Sequence, residues 1–353
     1  MGACRFGCGR RCLGARGRGA LLSTVHDHRY VSSVKAVVVY AFGEPDALIM
    51  TEVDDPVAGP GQIRVRVGAA GTNPVDAGNR MNGSWAGLTA PCILGYDIAG
   101  VVDQVGPGVT GFRPGDRVMA MCRFPGGAGG YAELAVVDAE LAAHLDSSTS
   151  FVHAAAAPLA AGTALTVLSR LDLSSGDSLL VLGASGGVGL FLLQLAAAHG
   201  IRTIALGRSE MHETMYRLGA YACIDYRTAD VVGQAVTAAA GPVDAIADLY
   251  GKDMLTRTMP ALRRHGRAAS IATPDLNIDA FVDNNLTLHG VLIEDDGPRT
   301  RRIARLLGDG DLHPVVSHVL PLADAAQAHR MLEGGHSGGK IVLIPEAAQA
   351  TLV

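Results

Sequence analysis

The clearest chemistry in the sequence lies in a glycine-rich turn. Residues 178–200 read SLLVLGASGGVGLFLLQLAAAHG, so an apolar run precedes the turn and a segment of helical periodicity follows it. Strand, turn and helix in this order predict a dinucleotide-binding crevice, in which the free N–H groups at the start of the helix hold a diphosphate. The motif is A-x-G-x-x-G, and the residues that would form the cradle are Ala184, Ser185, Gly186, Gly187, Val188 and Gly189.

The residues after the next predicted strand indicate which dinucleotide would bind. A protein that reads a ribose 2′-hydroxyl places Asp or Glu at the end of this strand. Here the strand RTIALG (202–207) is followed by Arg208 and Ser209. A guanidinium is a planar fork of donors that matches a phosphate, and we therefore predict NADPH as the cofactor. The alternative is that Arg208 is an ordinary solvated cation.

The composition excludes several other classes of protein. The chain has 353 residues, of which 48% are hydrophobic and 18% charged, the profile of a packed soluble α/β protein. A net charge of −5 gives no reason to expect nucleic acid or a membrane surface as a partner. No apolar run is long enough to span a bilayer. Six cysteines without a disulfide framework predict a reducing compartment, which we take to be the cytoplasm.

The pattern of elements divides the chain into four segments. Residues 1–33 carry arginine, glycine and three cysteines that match no metal-ligand spacing, and they predict a disordered or non-native extension, with a transit peptide as the alternative. Residues 34–155 read as short strands between glycine and proline turns, which predicts a closed antiparallel β-domain. Residues 156–293 alternate apolar strands with helical segments, which predicts a doubly wound parallel sheet. Residues 294–353 are expected to return to the β-domain. Within the parallel sheet we predict, among other elements, a helix over 253–266 and a strand over 286–293.

Six motifs occur in a fixed order along the chain. They are GTNPVD (71–76), LGYDIAGVVDQVG (94–106), GFRPGDRVMA (111–120), GGYAEL (129–134), GASGGVG (183–189) and GGKIVL (338–343). Together they resemble the motifs of medium-chain dehydrogenases/reductases, on the zinc-free quinone oxidoreductase branch that includes zeta-crystallin. The resemblance covers residues 34–353. It implies an α/β fold with a GroES-like β-barrel domain and a Rossmann domain with a doubly wound parallel sheet, an active site between them, and homodimers or homotetramers.

Two of these motifs bear on metal binding. The zinc-dependent members of the superfamily place a cysteine where this chain has Thr72-Asn73-Pro74, and Gly-His-Glu where it has Gly95-Tyr96-Asp97. A catalytic zinc needs about three N, S or O protein ligands, and both segments have lost theirs. The resemblance therefore implies a protein without zinc, and it leaves hydride chemistry that needs no Lewis acid.

The resemblance also implies roles for individual residues. Asn73 would hydrogen-bond the cofactor or a substrate carbonyl, or else serve as a turn residue. Tyr96 would polarise a substrate oxygen or relay a proton, with simple lining of the cleft as the alternative. Thr163 would lie near the nicotinamide and Tyr226 beside the adenosine phosphate. Lys340 would neutralise the pyrophosphate, unless it is an ordinary strand-edge lysine.

The resulting hypothesis is a zinc-independent, NADPH-dependent oxidoreductase that transfers hydride to a quinone or an α,β-unsaturated carbonyl compound. Met81 and Trp85 would shape an apolar substrate pocket, and water would supply the proton. Two alternatives stay open, namely an enoyl-thioester reductase of a biosynthetic pathway and a non-enzymatic NADPH-binding protein. A short-chain dehydrogenase is disfavoured because no Tyr-x-x-x-Lys pair follows the turn, and a P-loop enzyme because Gly-Lys-Ser/Thr is absent from the sequence.

Overall fold

The computed structural model describes residues 32–335 and 337–349. The extension predicted over 1–33 lies outside the described residues except for its last two. The described strands, in chain order, are β1 (Ser33–Val39), β2 (Leu48–Asp54), β3 (Gln62–Gly71), β4 (Cys92–Ile93), β5 (Asp97–Val105), β6 (Arg117–Met121), β7 (Leu134–Asp138), β8 (Ala142–His144), β9 (Ser178–Leu182), β10 (Arg202–Gly207), β11 (Ala222–Asp225), β12 (Val243–Asp248), β13 (Leu262–Ser270), β14 (Thr287–Gly290), β15 (Val316–Pro321) and β16 (Lys340–Ile344).

The helices fill the connections between these strands. In chain order they are α1 (Pro74–Met81), α2 (Phe151–Ala155), α3 (Pro158–Leu171), α4 (Gly187–Ala198), α5 (His212–Arg217), α6 (Val231–Ala239), α7 (Met254–Thr258), α8 (Ile278–Asn284), α9 (Gly297–Gly308), α10 (Ala325–Glu333) and α11 (Glu346–Gln349). Within the part of the chain that the structure describes, none of them combines the length and the apolar character that crossing a membrane requires.

A six-stranded parallel sheet has the order β11-β10-β9-β12-β13-β14. Its strand β9 is an unbroken run of buried residues, as expected of a parallel strand covered on both faces. The chain passes from β9 to β10 on one side of the sheet and reaches β12 on the other side. The connections at the carboxyl ends of β9 and β12 therefore diverge, and a crevice opens at this switch point.

Two further sheets make up the β-rich half of the molecule. A seven-stranded sheet runs β15-β16-β3-β5-β6-β8, with β7 also paired to β3. The β15–β16 pair is parallel and the other pairs are antiparallel. A three-stranded sheet, β2-β1-β4, contacts it through a bridge between Ala36 and Ala132. Together with the parallel sheet, this arrangement confirms the predicted α/β fold.

The C-terminal segment is built into the seven-stranded sheet. Strand β16 lies between β15 and β3, where Val342 pairs with Gly71. An added Cβ on Gly71 would lie 2.1 Å from the backbone oxygen of Ala155, and only glycine therefore allows this close approach of helix α2.

Two predicted elements are wrong in their extent. The helix predicted over 253–266 is only the short α7, and β13 begins at Leu262. Pro260 lacks the N–H that a longer helix would need, and Leu262, which begins β13, is buried in the parallel sheet instead. The strand predicted over 286–293 covers only β14, at the edge of that sheet.

Candidate active site

The turn between β9 and α4 has the geometry that a diphosphate site requires. Gly183 has φ of +79°, in the left-handed region that favours glycine, and it turns the chain after β9. The helix begins at Gly187, so the N–H groups of its first turn have no carbonyl partner within the helix. An added Cβ on Gly189 would lie 2.5 Å from the Ala184 oxygen, and this glycine therefore lets the helix pack against the turn.

A cleft of about 640 Å³ adjoins this turn. Its lining includes the turn, the carboxyl ends of β9, β10 and β12 with the residues that follow them, and the end of α10 with residues after it. Four predicted cofactor residues line the cleft, namely Ser185, Gly186, Arg208 and Tyr226. The other predicted cofactor residues are not part of its lining; they are Thr163, Ala184, Gly187, Val188, Gly189, Ser209 and Lys340.

Two arginines lie near the carboxyl end of β10, namely Arg208, which follows this strand, and Arg227, which hydrogen-bonds Ser209. Arg208 is half-buried on the wall. Arg227 donates from Nη2 to the Ser209 hydroxyl at 3.0 Å and to the Asp225 carboxylate at 2.6 Å. These hydrogen bonds from Arg227 hold the pKa of Asp225 well below its usual range. The sequence analysis missed Arg227, and the available signal was its position directly after Tyr226.

Asn73, Asp97 and Lys340 form a buried triangle of polar side chains, each at most 5% exposed. Asn73 Nδ2 donates to Asp97 Oδ2 at 3.0 Å, and Lys340 Nζ donates to Asn73 Oδ1. Nζ also donates to the Thr72 carbonyl at 2.8 Å and lies 3.6 Å from Asp97 Oδ2. Burial raises the pKa of Asp97 and lowers that of Lys340, and the charge of each opposes the shift of the other.

The Lys340 ammonium is held by groups of the β-rich half of the molecule. It does not line the cleft where a pyrophosphate would lie. The stem of the side chain passes Gly187, where an added Cβ would lie 2.9 Å from Lys340 Cδ. In this structure the Lys340 ammonium is therefore engaged inside the protein, and its contact with a pyrophosphate stays a prediction.

Asp76 anchors the first turn of α1 next to this triangle. Its Oδ2 accepts the Asn73 backbone N–H at 2.8 Å and the Tyr131 hydroxyl at 3.2 Å. Its Oδ1 has no hydrogen-bond partner among the described residues. Burial raises the pKa of Asp76 to about 7.

The hydrogen bonds continue from Tyr131 toward the cleft. Tyr131 Oη is 3.2 Å from His329 Nε2, and His329 Nδ1 is 3.5 Å from Arg80 Nη1. Because a guanidinium only donates, His329 accepts through Nδ1 and carries its hydrogen on Nε2. Arg80 is fully buried and also pairs with Glu333, which lies on the cleft wall. None of these four residues was predicted as part of the site.

The hydroxyl of Tyr96 forms two hydrogen bonds within the protein. It accepts from Asn79 Nδ2 at 2.7 Å and donates to the Pro125 carbonyl at 2.7 Å. A phenol has one hydrogen, and this one is committed to Pro125. The side chain is fully buried, and burial raises the pKa of Tyr96 well above its ordinary value, so the phenol stays protonated at neutral pH.

Aromatic side chains extend from Tyr96 to the surface. Phe124 contacts Tyr96 edge-on at 5.0 Å between ring centroids, and Trp85 contacts Phe124 at 6.2 Å. Met81 and Trp85 are 57% and 50% exposed, as suits residues of an open apolar wall. Thr163, in contrast, donates to the Leu159 carbonyl at 2.7 Å within α3 and is nearly fully buried.

A zinc ion does not fit these side chains. Asn73 offers an amide and Tyr96 a neutral phenol, and neither is among the usual zinc ligands. The Lys340 ammonium already lies 3.6 Å from the Asp97 carboxylate and would repel a second cation there. Within 32–335 and 337–349, no group of three or more His, Cys, Asp or Glu residues is arranged to hold a metal ion.

Comparison with known proteins agrees with this architecture. The model of the alcohol dehydrogenase GroES-like domain matches residues 59–147, and that of the zinc-binding dehydrogenases matches residues 218–343. A 2-haloacrylate reductase from Burkholderia sp is 31% identical over 341 residues, which cover 89% of this chain and 100% of that protein. The chain belongs to the medium-chain dehydrogenase/reductase superfamily. Its place is among the quinone oxidoreductase-like members, as the six sequence motifs predicted.

Solved structures of this superfamily have the same fold. The quinone oxidoreductase from Coxiella burnetii has a TM-score of 0.81 and 29% identity, covering 89% of this chain and 99% of that one. A mycobacterial protein whose structure was solved in complex with NADPH has a TM-score of 0.80 and 27% identity, covering 89% of this chain and 100% of that one. Members of this superfamily bind a nicotinamide cofactor, and the chain is an oxidoreductase of this kind.

Proposed function

We propose that this protein is a metal-independent, NADPH-dependent reductase of quinones or α,β-unsaturated carbonyl compounds. The observation that carries the proposal is the cleft itself. Its lining includes the glycine-rich turn. Arg208 also lines the cleft, at the position where an NADH-binding protein of this fold would have a carboxylate. The 2-haloacrylate reductase and the quinone oxidoreductase among the relatives support the same substrate classes.

The residues of the cleft fit the cofactor group by group. The N–H groups at the start of α4 hold the diphosphate, because they are unpaired donors at the positive end of a helix dipole. Arg208, Ser209 and Tyr226 lie at the β10 end and hold the adenosine with its 2′-phosphate. When bound, the cofactor supplies the hydride. A charge-assisted hydrogen bond from Arg208 is worth about 1.5–3 kcal/mol, enough to set a preference for NADPH.

The Asn73 amide is the hydrogen-bond donor at the end of the site where the substrate is reduced. One Nδ2 hydrogen is used by Asp97, and the second is the donor for the oxygen on which negative charge develops during reduction. Trp85, Met81 and Phe124 form the apolar wall against which a flat conjugated substrate packs. Solvent water supplies the proton, since the hydroxyl of Tyr96 is committed to Pro125.

We also propose that the protein acts as a homodimer or homotetramer in the cytoplasm. Support for self-association comes from β14, the edge strand of the parallel sheet. Exposed apolar side chains of Ile278, Val282 and Leu292 lie near it in the sequence. An open edge with such flanks is suited to pairing with a second copy of the chain. The measured mass of the protein in solution tests this point.

The decisive experiment is a turnover assay with the full chain. Oxidation of NADPH and of NADH is followed with para- and ortho-quinones, enones, alkenals, 2-haloacrylates and enoyl thioesters, each against a reaction without protein. The proposal expects faster turnover with NADPH and with at least one quinone or enone. Turnover of enoyl thioesters alone would assign a thioester reductase instead. Binding of NADPH without turnover of any member would assign a non-enzymatic binding protein.

A further inference from the structure

We infer that Lys340 is a positioning residue for Asn73. We also infer that the absence of a side chain at Gly187 leaves the space through which Lys340 reaches Asn73. This inference rests on the proposed function, in which the Asn73 amide faces the reacting end. It joins two places that sequence analysis treats separately, the glycine-rich turn and the amide at the start of α1.

The Lys340 side chain passes directly beside Gly187. Lys340 begins β16, and its backbone N–H donates to the Val315 carbonyl at 2.8 Å, which fixes the start of the stem. The stem then runs beside the first residue of α4. A Cβ added to Gly187 would lie 2.9 Å from Cδ and 3.5 Å from Cγ of Lys340, and the first distance is shorter than real Cβ contacts allow. Beyond its own helix and chain neighbours, no other described residue lies within 4 Å of that position.

The ammonium at the far end of the Lys340 side chain contacts Asn73 and Asp97. The ammonium can only donate and a carboxylate can only accept, so Lys340 and Asp97 select one of the two amide orientations of Asn73. The Asn73 oxygen accepts from Lys340, and its nitrogen donates to Asp97 at 3.0 Å. Because the amide is planar, these two hydrogen bonds also set the direction of the second Nδ2 hydrogen.

These contacts at the two ends of the side chain together make a mechanical link. A methyl group at Gly187 pushes on the stem of Lys340, and the displaced ammonium loosens the Asn73 amide. Gly187 has a φ that an L-residue adopts, so an alanine there strains no backbone, and the Lys340 stem is the neighbour that it displaces. The loss of alignment should therefore appear in the chemical step, where a misplacement of about 1 Å costs up to about 100-fold in rate.

The test is a double-mutant cycle on the full chain with Gly187→Ala and Lys340→Ala. Three quantities are measured for each variant, namely kcat with the best substrate of the panel, the Kd of NADPH by fluorescence, and Tm. Gly187→Ala should lower kcat roughly tenfold while leaving the Kd of NADPH nearly unchanged. Lys340→Ala alone should lower kcat by at least as much. In the Lys340→Ala background the stem is gone, and Gly187→Ala should then cost almost nothing further.

The matched comparison is Gly186→Ala. Gly186 lines the cleft and its Cβ would face no part of Lys340, so this variant should raise the Kd of NADPH instead. Equal and additive losses from Gly187→Ala in both backgrounds would overturn the inference. So would a large rise in the Kd of NADPH in Lys340→Ala with kcat retained, since that result makes the lysine a phosphate ligand.

The inference and the proposed function fail separately. Absence of turnover by the unmodified chain counts against the proposed function. In that case the Tm values of the four proteins in the double-mutant cycle are compared instead. Gly187→Ala should lower Tm in the unmodified chain and not in the Lys340→Ala chain. If Lys340→Ala does not fold, the contrast between Gly187→Ala and Gly186→Ala in kcat and in the Kd of NADPH decides the question alone.

Discussion

The Asp97 carboxylate accepts the backbone N–H of Leu159 at 2.8 Å. Asp97 belongs to β5 in the seven-stranded sheet, whereas Leu159 lies in the first turn of α3, a helix that packs beside α4. A carboxylate from one half of the molecule therefore completes the amino-terminal turn of a helix in the other half. The same carboxylate holds Asn73 and Lys340, so it links the relative placement of the two halves to the candidate site.

Removal of this carboxylate should be costly. Asp97→Ala leaves the Lys340 ammonium buried without its counter-charge and takes the acceptor from Leu159. We expect the free energy of unfolding to fall by about 3–5 kcal/mol, as measured by urea denaturation. Asp311→Ala, at an exposed carboxylate, is the control and should change it by less than about 0.5 kcal/mol. A loss in Asp97→Ala no larger than that of the control would contradict the role given to Asp97.

Arg208→Ala should weaken the preference for NADPH. Loss of one charge-assisted hydrogen bond to the 2′-phosphate predicts a KM for NADPH raised roughly tenfold or more, with little change for NADH. Arg217→Ala, an exposed arginine on α5, controls for the general loss of positive charge. Equal effects of Arg208→Ala on both cofactors would show that Arg208 does not discriminate between them, and Arg227 would be the next residue to replace.

Tyr96→Phe should affect stability more than turnover. The variant leaves Asn79 Nδ2 and the Pro125 carbonyl without a partner in a buried place, which costs about 1–3 kcal/mol of unfolding free energy. Because the hydroxyl is bonded to Asn79 and Pro125, turnover should remain close to that of the unmodified protein. Turnover slowed by about two orders of magnitude or more, the size expected for loss of a general acid, would support the catalytic role predicted for Tyr96.

The free energy of unfolding should depend on pH in a way that reflects the raised pKa of Asp76. Burial raises its pKa from 3.8 to about 7, so between these values the folded state binds more protons than the unfolded state. Its contribution is therefore full at low pH and is lost as the pH rises through 7. His329 acts in the opposite direction in the same range, because burial lowers its pKa from 6.5 to about 3.

Asp76→Asn separates the two groups. The stability of the unmodified protein relative to Asp76→Asn should be greatest near pH 4 and decline by at most about 4 kcal/mol toward pH 8. Urea denaturation of both proteins at each pH measures this difference. A difference that does not change with pH would mean that the pKa of Asp76 is not raised.

Removal of metal ions should have no effect. Since Asn73, Tyr96 and the neighbouring Lys340 ammonium do not suit zinc, elemental analysis should find well under one zinc per chain. Dialysis against a chelator should leave Tm and the rate of NADPH oxidation unchanged. Stoichiometric zinc whose removal abolishes turnover would exclude the metal-independent reaction.

Sequence reasoning succeeded where the signal is local. The A-x-G-x-x-G motif spans neighbouring residues, and the strand, turn and helix around it follow from periodicity alone. It failed at 253–266, where the helical propensity of residues near Leu262 gives way to pairing with β12 in the parallel sheet.

The hydrogen-bonded side chains beside the site could not be predicted in the same way. Arg80 and His329 are 249 positions apart, and Lys340 and Asn73 are 267 positions apart. No spacing rule joins such residues, and only the fold brings them together. The same holds for Tyr96, because its sequence position predicted proximity to the site but not the two partners that occupy its hydroxyl.

The insertion of β16 between β15 and β3 has a consequence for the folding of the nascent chain. Asn73 emerges from the ribosome 267 residues before Lys340, the lysine that donates to its amide oxygen. The glycine-rich turn at 183–189 is translated well before that moment, while the hydrogen bonds around Asn73 are still incomplete. Insertion of β16 is then the event that completes the buried triangle.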